Sequence, residues 1–171
     1  MDYAGLVKNL DVPPGFTPPR QLTYQDIRAS ALTRDDLDDD VRGINASLDL
    51  IRSTRGGGWP TTAVTAEDNY VDLVWHELEF RERLSFAYVV RRDDGRYLGC
   101  AYLYPMGRRV ALTEDLMRHD VDVSWWVTTE AYAQGYYVKV YEALLTWIDT
   151  EFPFGNPYFS NVDVPGPERA S

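Results

Sequence analysis

The sequence holds a single cysteine, Cys100, so no disulfide can form within it. It has only two histidines, and together with one cysteine they make no zinc-binding spacing. A lone thiol fits a reducing compartment, and a cytoplasmic location is the expectation. No run is apolar and long enough to span a bilayer, and the N-terminus lacks a secretory hydrophobic region. Cations are scarce: 17 Lys and Arg stand against 27 Asp and Glu, for a formal net charge of -10. Binding a polyanion requires clustered cations, so neither nucleic acid nor an anionic membrane is expected as the main partner. The same charge would suit a cationic substrate such as an amine.

What is plentiful is aromatic. With 12 Tyr and 5 Trp, aromatics make 13% of the chain, a share suited to aromatic-walled pockets or an interface. At 171 residues, 44% hydrophobic, the chain is long enough for one domain with a sizeable core. Pro13-Pro14-Gly15 and Pro18-Pro19 remove N–H donors and fix φ, so residues 1–21 read as an extended arm and 22–171 as the domain.

Leu22 to Leu32 reads as a first strand, and Thr33 as the N-cap of a helix to about Ser53 with Leu37, Val41, Ile44, Leu48 and Ile51 on one face. Gly56-Gly57-Gly58-Trp59-Pro60 is a loop, without the following Lys-Ser/Thr of a nucleotide-binding loop. It is either a lid with Trp59 at its tip or a connector with Trp59 anchored in the core. A second helix runs from Thr65 to about Arg83, its buried stripe Tyr70, Leu73, Val74 and Leu78. Leu84 to Arg91 and Arg96 to Tyr104 are strands joined by an Asp-Gly turn, and Tyr158 to Val164 is a last strand. If that edge is open, it invites pairing into a homodimer.

The most informative stretch is Val121 to Phe152. Val121, Val123, Trp125 and Val127 alternate with Asp122, Ser124, Trp126 and Thr128, the period of a strand. Gly135 sits where a helix would begin. Beyond it, Val138, Tyr141, Leu145, Ile148 and Phe152, and Tyr137, Val140, Leu144 and Trp147, recur at helical spacing. A helix that starts at the carboxyl end of a strand leaves several N–H groups free, and these attract anions, phosphate above all.

This stretch resembles the central motif of the GNAT superfamily of N-acetyltransferases, nearest the branch that acts on protein N-termini and small amines. Ser124-Trp125-Trp126-Val127 matches the aromatic strand end, Glu130 an acidic residue that opens the turn, and Gly135 the first glycine of a Q/R-x-x-G-x-G/A loop. Tyr132, Ala133 and Tyr137 depart from it, standing where that family has Gln or Arg, Gly, and Gly or Ala. The resemblance implies an α/β (α+β) fold with a mixed, mostly antiparallel central sheet flanked by helices, in the order β-α-α-β-β-β-α-β. It implies acetyl-CoA as acyl donor, held by Trp126, Val127, Gln134, Gly135, Tyr136, Tyr137 and Val138, and a small amine or peptide N-terminus as acceptor. The family usually adds another helix bearing a tyrosine that protonates the leaving thiolate, so another tyrosine or a partner chain would have to supply it.

Direct acyl transfer to an amine needs a proton acceptor and a donor to the thioester oxygen, but no covalent enzyme intermediate. Asp122, on the central strand, is the first candidate base. Glu79 and Glu77 come next, and His119 titrates in the right range. Tyr104 and Tyr158, at strand ends, are candidate acids. Two further readings stay open: a GNAT-shaped binding protein without catalysis, and an enzyme using a different ligand in the same cleft.

Overall fold

The computed structural model describes residue 3 and residues 5–166. Six strands form one sheet in simple sequence order: β1 (Gln21–Tyr24), β2 (Ile27–Ala31), β3 (Phe86–Arg92), β4 (Tyr97–Tyr104), β5 (Val121–Val127) and β6 (Pro157–Phe159). All neighbouring pairs are antiparallel except β5 with β6, which run parallel. A parallel pair requires a crossover, and here it is the helical segment α4 (Thr129–Ala133) and α5 (Tyr136–Glu151). The helices α1 (Leu37–Asn45), α2 (Leu48–Thr54) and α3 (Ala66–Arg81) come between β2 and β3. No helix among the described residues is long and apolar enough to cross a membrane.

Strand alternation divides the molecule into two cores. Val121, Val123, Trp125 and Val127 face α5, with Val140, Leu144, Trp147 and Ile148 opposite them. Tyr102, Tyr104, Cys100 and Trp126 point to the other side, toward Ile44, Ile51 and Leu73 of α1–α3. Leu10, Val12 and Phe16 of the arm pack on the first core, and Lys8 donates to the carbonyls of Met117 and His119.

The structure departs from the sequence expectation at five places in the fold. The single strand expected over Leu22–Leu32 is a hairpin: Gln25 turns the chain at φ 49°, and Asp26 beside it takes a hydrogen bond from Tyr136 Oη at 2.5 Å and pairs with Lys139. Those two contacts fasten the turn to the start of α5. The first helix breaks at Ala46–Ser47, where Thr129 donates its N–H to Ser47 Oγ (3.0 Å) and its hydroxyl to the freed Ala46 carbonyl (3.3 Å). The buried face of α3 holds Asn69, Leu73, His76 and Phe80, while Tyr70 is exposed. Asn69 can be buried because it donates to Asp40 at 2.8 Å. A short α4 occupies the turn before Gly135. The last strand, expected over Tyr158–Val164, stops at Phe159, and Val162 and Asp163 beyond it donate to the carbonyls of Arg55 and Thr54 at the end of α2.

Candidate active site

β5 and β6 pair only from Val121–Pro157 to Val123–Phe159. The strands then separate. Ser160 N–H still reaches the Val123 carbonyl at 2.9 Å, but the next contact is made by a side chain. Asn161 Oδ1 accepts from Trp125 N–H at 3.1 Å, and its Nδ2 donates to the Trp125 carbonyl at 3.0 Å. An amide side chain thus replaces the ladder and holds the two chains a side chain's width apart. Backbone parity sends the N–H and C=O of Val127 the same way as those of Trp125, since Thr128 N–H turns back to Leu98 on β4. Val127 meets no partner there among the described residues.

α5 begins beside this opening. Gly135 is its N-cap at φ 87°, in the left-handed region that glycine adopts without strain, and it offers no side-chain cap. The first-turn amides of α5 therefore lack an intrahelical acceptor, which is the anion-binding end of a helix. Gln134 and Gly135 are exposed, and Val138 is half-buried.

Tyr137 narrows the opening. Its ring lies 5.0 Å from that of Trp125 and 5.5 Å from Tyr132, and its hydroxyl binds the Asp163 carbonyl and accepts from Asn161 Nδ2 (2.9 Å). Trp125 Nε1 in turn donates to the Tyr137 carbonyl at 3.1 Å. The diphosphate end of an acyl-CoA therefore fits the residues present, while its acyl end would meet the Tyr137 ring. Trp126 does not belong to this opening, contrary to the sequence expectation. Its ring is fully buried on the opposite face, donates to Tyr102 Oη at 2.9 Å and packs on Tyr97. Of the two tryptophans, strand parity makes Trp125 the one beside the opening.

On the Trp126 face of the sheet lies a cavity of about 300 Å3. Its floor is Tyr102 and Tyr104 of β4. Its walls are Arg55 and Trp59 at the end of α2 and the loop beyond, Asp72 and His76 of α3, and Arg108 and Arg109 after β4. Trp59 packs on the second core, the anchored alternative, and it also lines the cavity. Gly56 (φ 81°) lets the chain pass Val162, whose Cγ2 a Cβ would strike.

Asp122 is buried next to two residues of this cavity's lining, Tyr104 and Arg109, with Tyr104 opposite it on one side and Tyr158 on the other. Ser160 Oγ donates to its Oδ1 at 2.5 Å, and Arg109 Nε lies 4.0 Å away. Its Oδ2 has no partner among the described residues. Burial pushes its pKa above the usual aspartate range, against the downward pull of the Ser160 bond, Arg109 and Arg55. Tyr104 lines the cavity beneath Arg108, whose guanidinium sits 4.0 Å from its ring centre, and burial raises its pKa. Arg109 falls to about 10, through burial and the neighbouring Arg55 charge.

Other candidates are committed elsewhere. Glu79 accepts from Arg108 and Ser85, each at 2.5 Å. Burial acts to raise its pKa, but those two bonds prevail and lower it, which makes it a weaker base than a free glutamate. Glu77 forks with Arg34 away from the cavity. His119 lies against Tyr158 and the Asn156 carbonyl. Arg55, Arg108, Arg109, His76 and Asn161 line these two openings without a motif that marks them in the sequence. An arginine directly before three glycines and an Arg-Arg pair after Gly107 were the available signals.

No family model matches the sequence, and no curated protein matches it. Solved structures do. The ribosomal alpha-N-protein acetyltransferase RimL in complex with coenzyme A superposes with TM-score 0.57 at 11% identity, over 74% of this chain and 66% of that one. A putative ribosomal-protein-serine acetyltransferase from Vibrio cholerae gives 0.57 at 14% identity, over 77% of this chain and 68% of that one. The microcin self-immunity acetyltransferase MccE, in complex with acetyl-CoA and AMP, gives 0.58 at 10% identity, over 80% and 71%. The matched part of this chain thus spans roughly two thirds of those proteins, 66% of the first. The fold is that of the GNAT acetyltransferases.

Proposed function

We propose that this chain is an acyl-CoA-dependent N-acyltransferase that moves an acetyl group to an amine by direct attack. The observation that carries the reading is the place where β5 and β6 separate, next to the uncapped first turn of α5. The amides of Tyr136, Tyr137 and Val138 would hold the diphosphate of acetyl-CoA, and that donor supplies the activated acyl carbon. The Val127 N–H would polarise the thioester oxygen, where a fixed donor acts most strongly. Asp122 accepts the proton that the attacking amine loses. Its raised pKa makes it a stronger base than an exposed aspartate. As the new C–N bond forms the C–S bond breaks, and Tyr104 is the proton donor for the departing sulfur. A small amine and a peptide N-terminus are both acceptors of this class.

One observation favours a second reading, a GNAT-shaped binding protein without catalysis. The Tyr137 ring stands where the acyl end of the donor would enter, tied to Asn161 and Asp163. Thiol release from acetyl-CoA in the presence of an amine panel separates the two. Amine-dependent release above the buffer rate supports the transferase; donor binding with no release on any amine supports the second reading.

A further inference from the structure

The net charge of -10 suggests a substrate of opposite sign. The cavity above the β4–β5 face reverses that expectation. Three of the nine residues that line it are arginines, against one carboxylate, Asp72. Arg55 is the decisive one. It is 94% buried, with a relative exposure of 6%. Its Nε donates to the neutral Ser124 Oγ at 3.1 Å, and no carboxylate lies within ion-pair distance among the described residues. Asp72 and Asp122 feel its charge only at longer range, and a buried guanidinium with no carboxylate in direct contact is costly, so its terminal nitrogens seek an oxyanion.

Its surroundings deepen the case. The Arg55 guanidinium carbon sits over the Tyr102 ring, 4.1 Å from the centroid, with the Trp59 ring at 5.8 Å. Ring contact and the Ser124 bond hold the guanidinium in place while its terminal nitrogens can meet a bidentate partner. Arg109 is spent on Ser160 Oγ and the Arg55 carbonyl, so it reinforces the positive field without supplying the anion's main contact. Arg108 stacks on Tyr104 in the same way and shares only one terminal nitrogen with Glu79. His76 adds an independent sign of a ligand. Its ring is also 94% buried and lines the cavity, its Nε2 faces Asp72 at 3.4 Å, and its Nδ1 has no partner among the described residues.

We infer that the acceptor amine carries an oxyanion, a carboxylate or a phosphate, which is seated by Arg55 and Arg108 over the tyrosine floor, with its amine toward Asp122. This rests on the acyltransferase reading for the word acceptor, but the anion site stands without it. A cavity of about 300 Å3 admits an amino acid or an amino-phosphate and not a folded partner. Polyamines, which carry no anion, are excluded as the acceptor.

Binding measured without any acyl-CoA keeps the two claims apart. Phenylalanine, O-phosphoethanolamine and spermidine are titrated separately into the full chain, followed by calorimetry. Saturable binding of either anionic probe, with none for spermidine, is the expected result, and whichever anion binds tighter identifies the source. Arg55→Gln and the more exposed Arg108→Gln should each weaken that binding at least tenfold. Should the buried substitution fail to fold, the Arg108 variant alone decides. Binding of spermidine alone, binding of no probe, or anion affinity unchanged in the folded variants overturns the inference. Anion binding in a protein that releases no thiol would remove the transferase and leave the anion site standing.

Discussion

The side chain of Asn161 spans the backbone of Trp125, taking its N–H and giving to its C=O at 3.1 and 3.0 Å. This one amide does the work of a ladder pair while keeping β5 apart from the chain that follows β6. Removing it leaves a buried N–H and a buried C=O without partners. Asn161→Ala should therefore cost about 1–3 kcal/mol of stability, the usual penalty for stranded buried groups. Urea midpoints measure it; a loss within error would mean the bridge is not what holds the strands.

Tyr137 is the residue most at odds with a working acyl site. Tyr137→Ala removes the ring between α5 and Asn161–Asp163. Tighter acetyl-CoA binding than in the parent, by several-fold in Kd, is expected from calorimetry. Unchanged affinity would show that the ring never stood in the donor's path.

Asp122→Asn should reduce turnover by about 10²–10⁴-fold, the range for a positioned general base. It should also change the pH dependence of stability. The folded pKa of Asp122 is raised, so its favourable contribution is complete below the unfolded aspartate value and fades as pH rises through the folded one. Above that window the parent keeps a buried, ionised carboxylate that the asparagine variant lacks. The variant should lose this part of the decline in melting temperature with rising pH. Identical profiles for the two proteins would refute the assignment of a buried, ionising base.

Two controls follow from side chains placed away from the chemistry. Glu79→Gln should leave turnover within a few-fold of the parent, since Arg108 and Ser85 already occupy the carboxylate. Trp126→Phe should lower stability by about 1–3 kcal/mol, through a lost bond to Tyr102 and a core gap, without moving the Kd for acetyl-CoA. A turnover collapse in the first, or a Kd shift in the second, would return that residue to the site.

Much of the fold was written in periodicity. The alternation from Val121 to Val127 and the wide stripe from Tyr137 to Trp147 gave β5 and α5 nearly to the residue, because in each the apolar residues recur against polar ones such as Asp122, Ser124, Thr146 and Asp149. The hairpin at Gln25 was hidden, since no glycine or asparagine marks a turn made by a left-handed glutamine. The α3 face was misread because Asn69 and His76, polar by type, are buried through partners 29 residues away or across a cavity. The site was legible in part. Gly135 announced an uncapped helix, but whether Trp125 or Trp126 faced it depended on parity against a strand partner. The cationic cavity could not be foreseen from a net negative composition, because it gathers Arg55, Arg108 and Arg109 from two distant segments.

The central claim is that the mouth of α5 beside β5 binds an acyl-CoA, and thermal melting with added acetyl-CoA tests it most directly. A ligand that binds only the folded state adds about 2.7 kcal/mol at a hundredfold excess over Kd, a shift of several degrees. The account predicts a saturable rise in melting temperature, lost when Gly135→Pro deforms the left-handed cap and reduced when Tyr136→Pro removes one first-turn amide. No rise at millimolar acetyl-CoA, in the parent and in Tyr137→Ala alike, would contradict it.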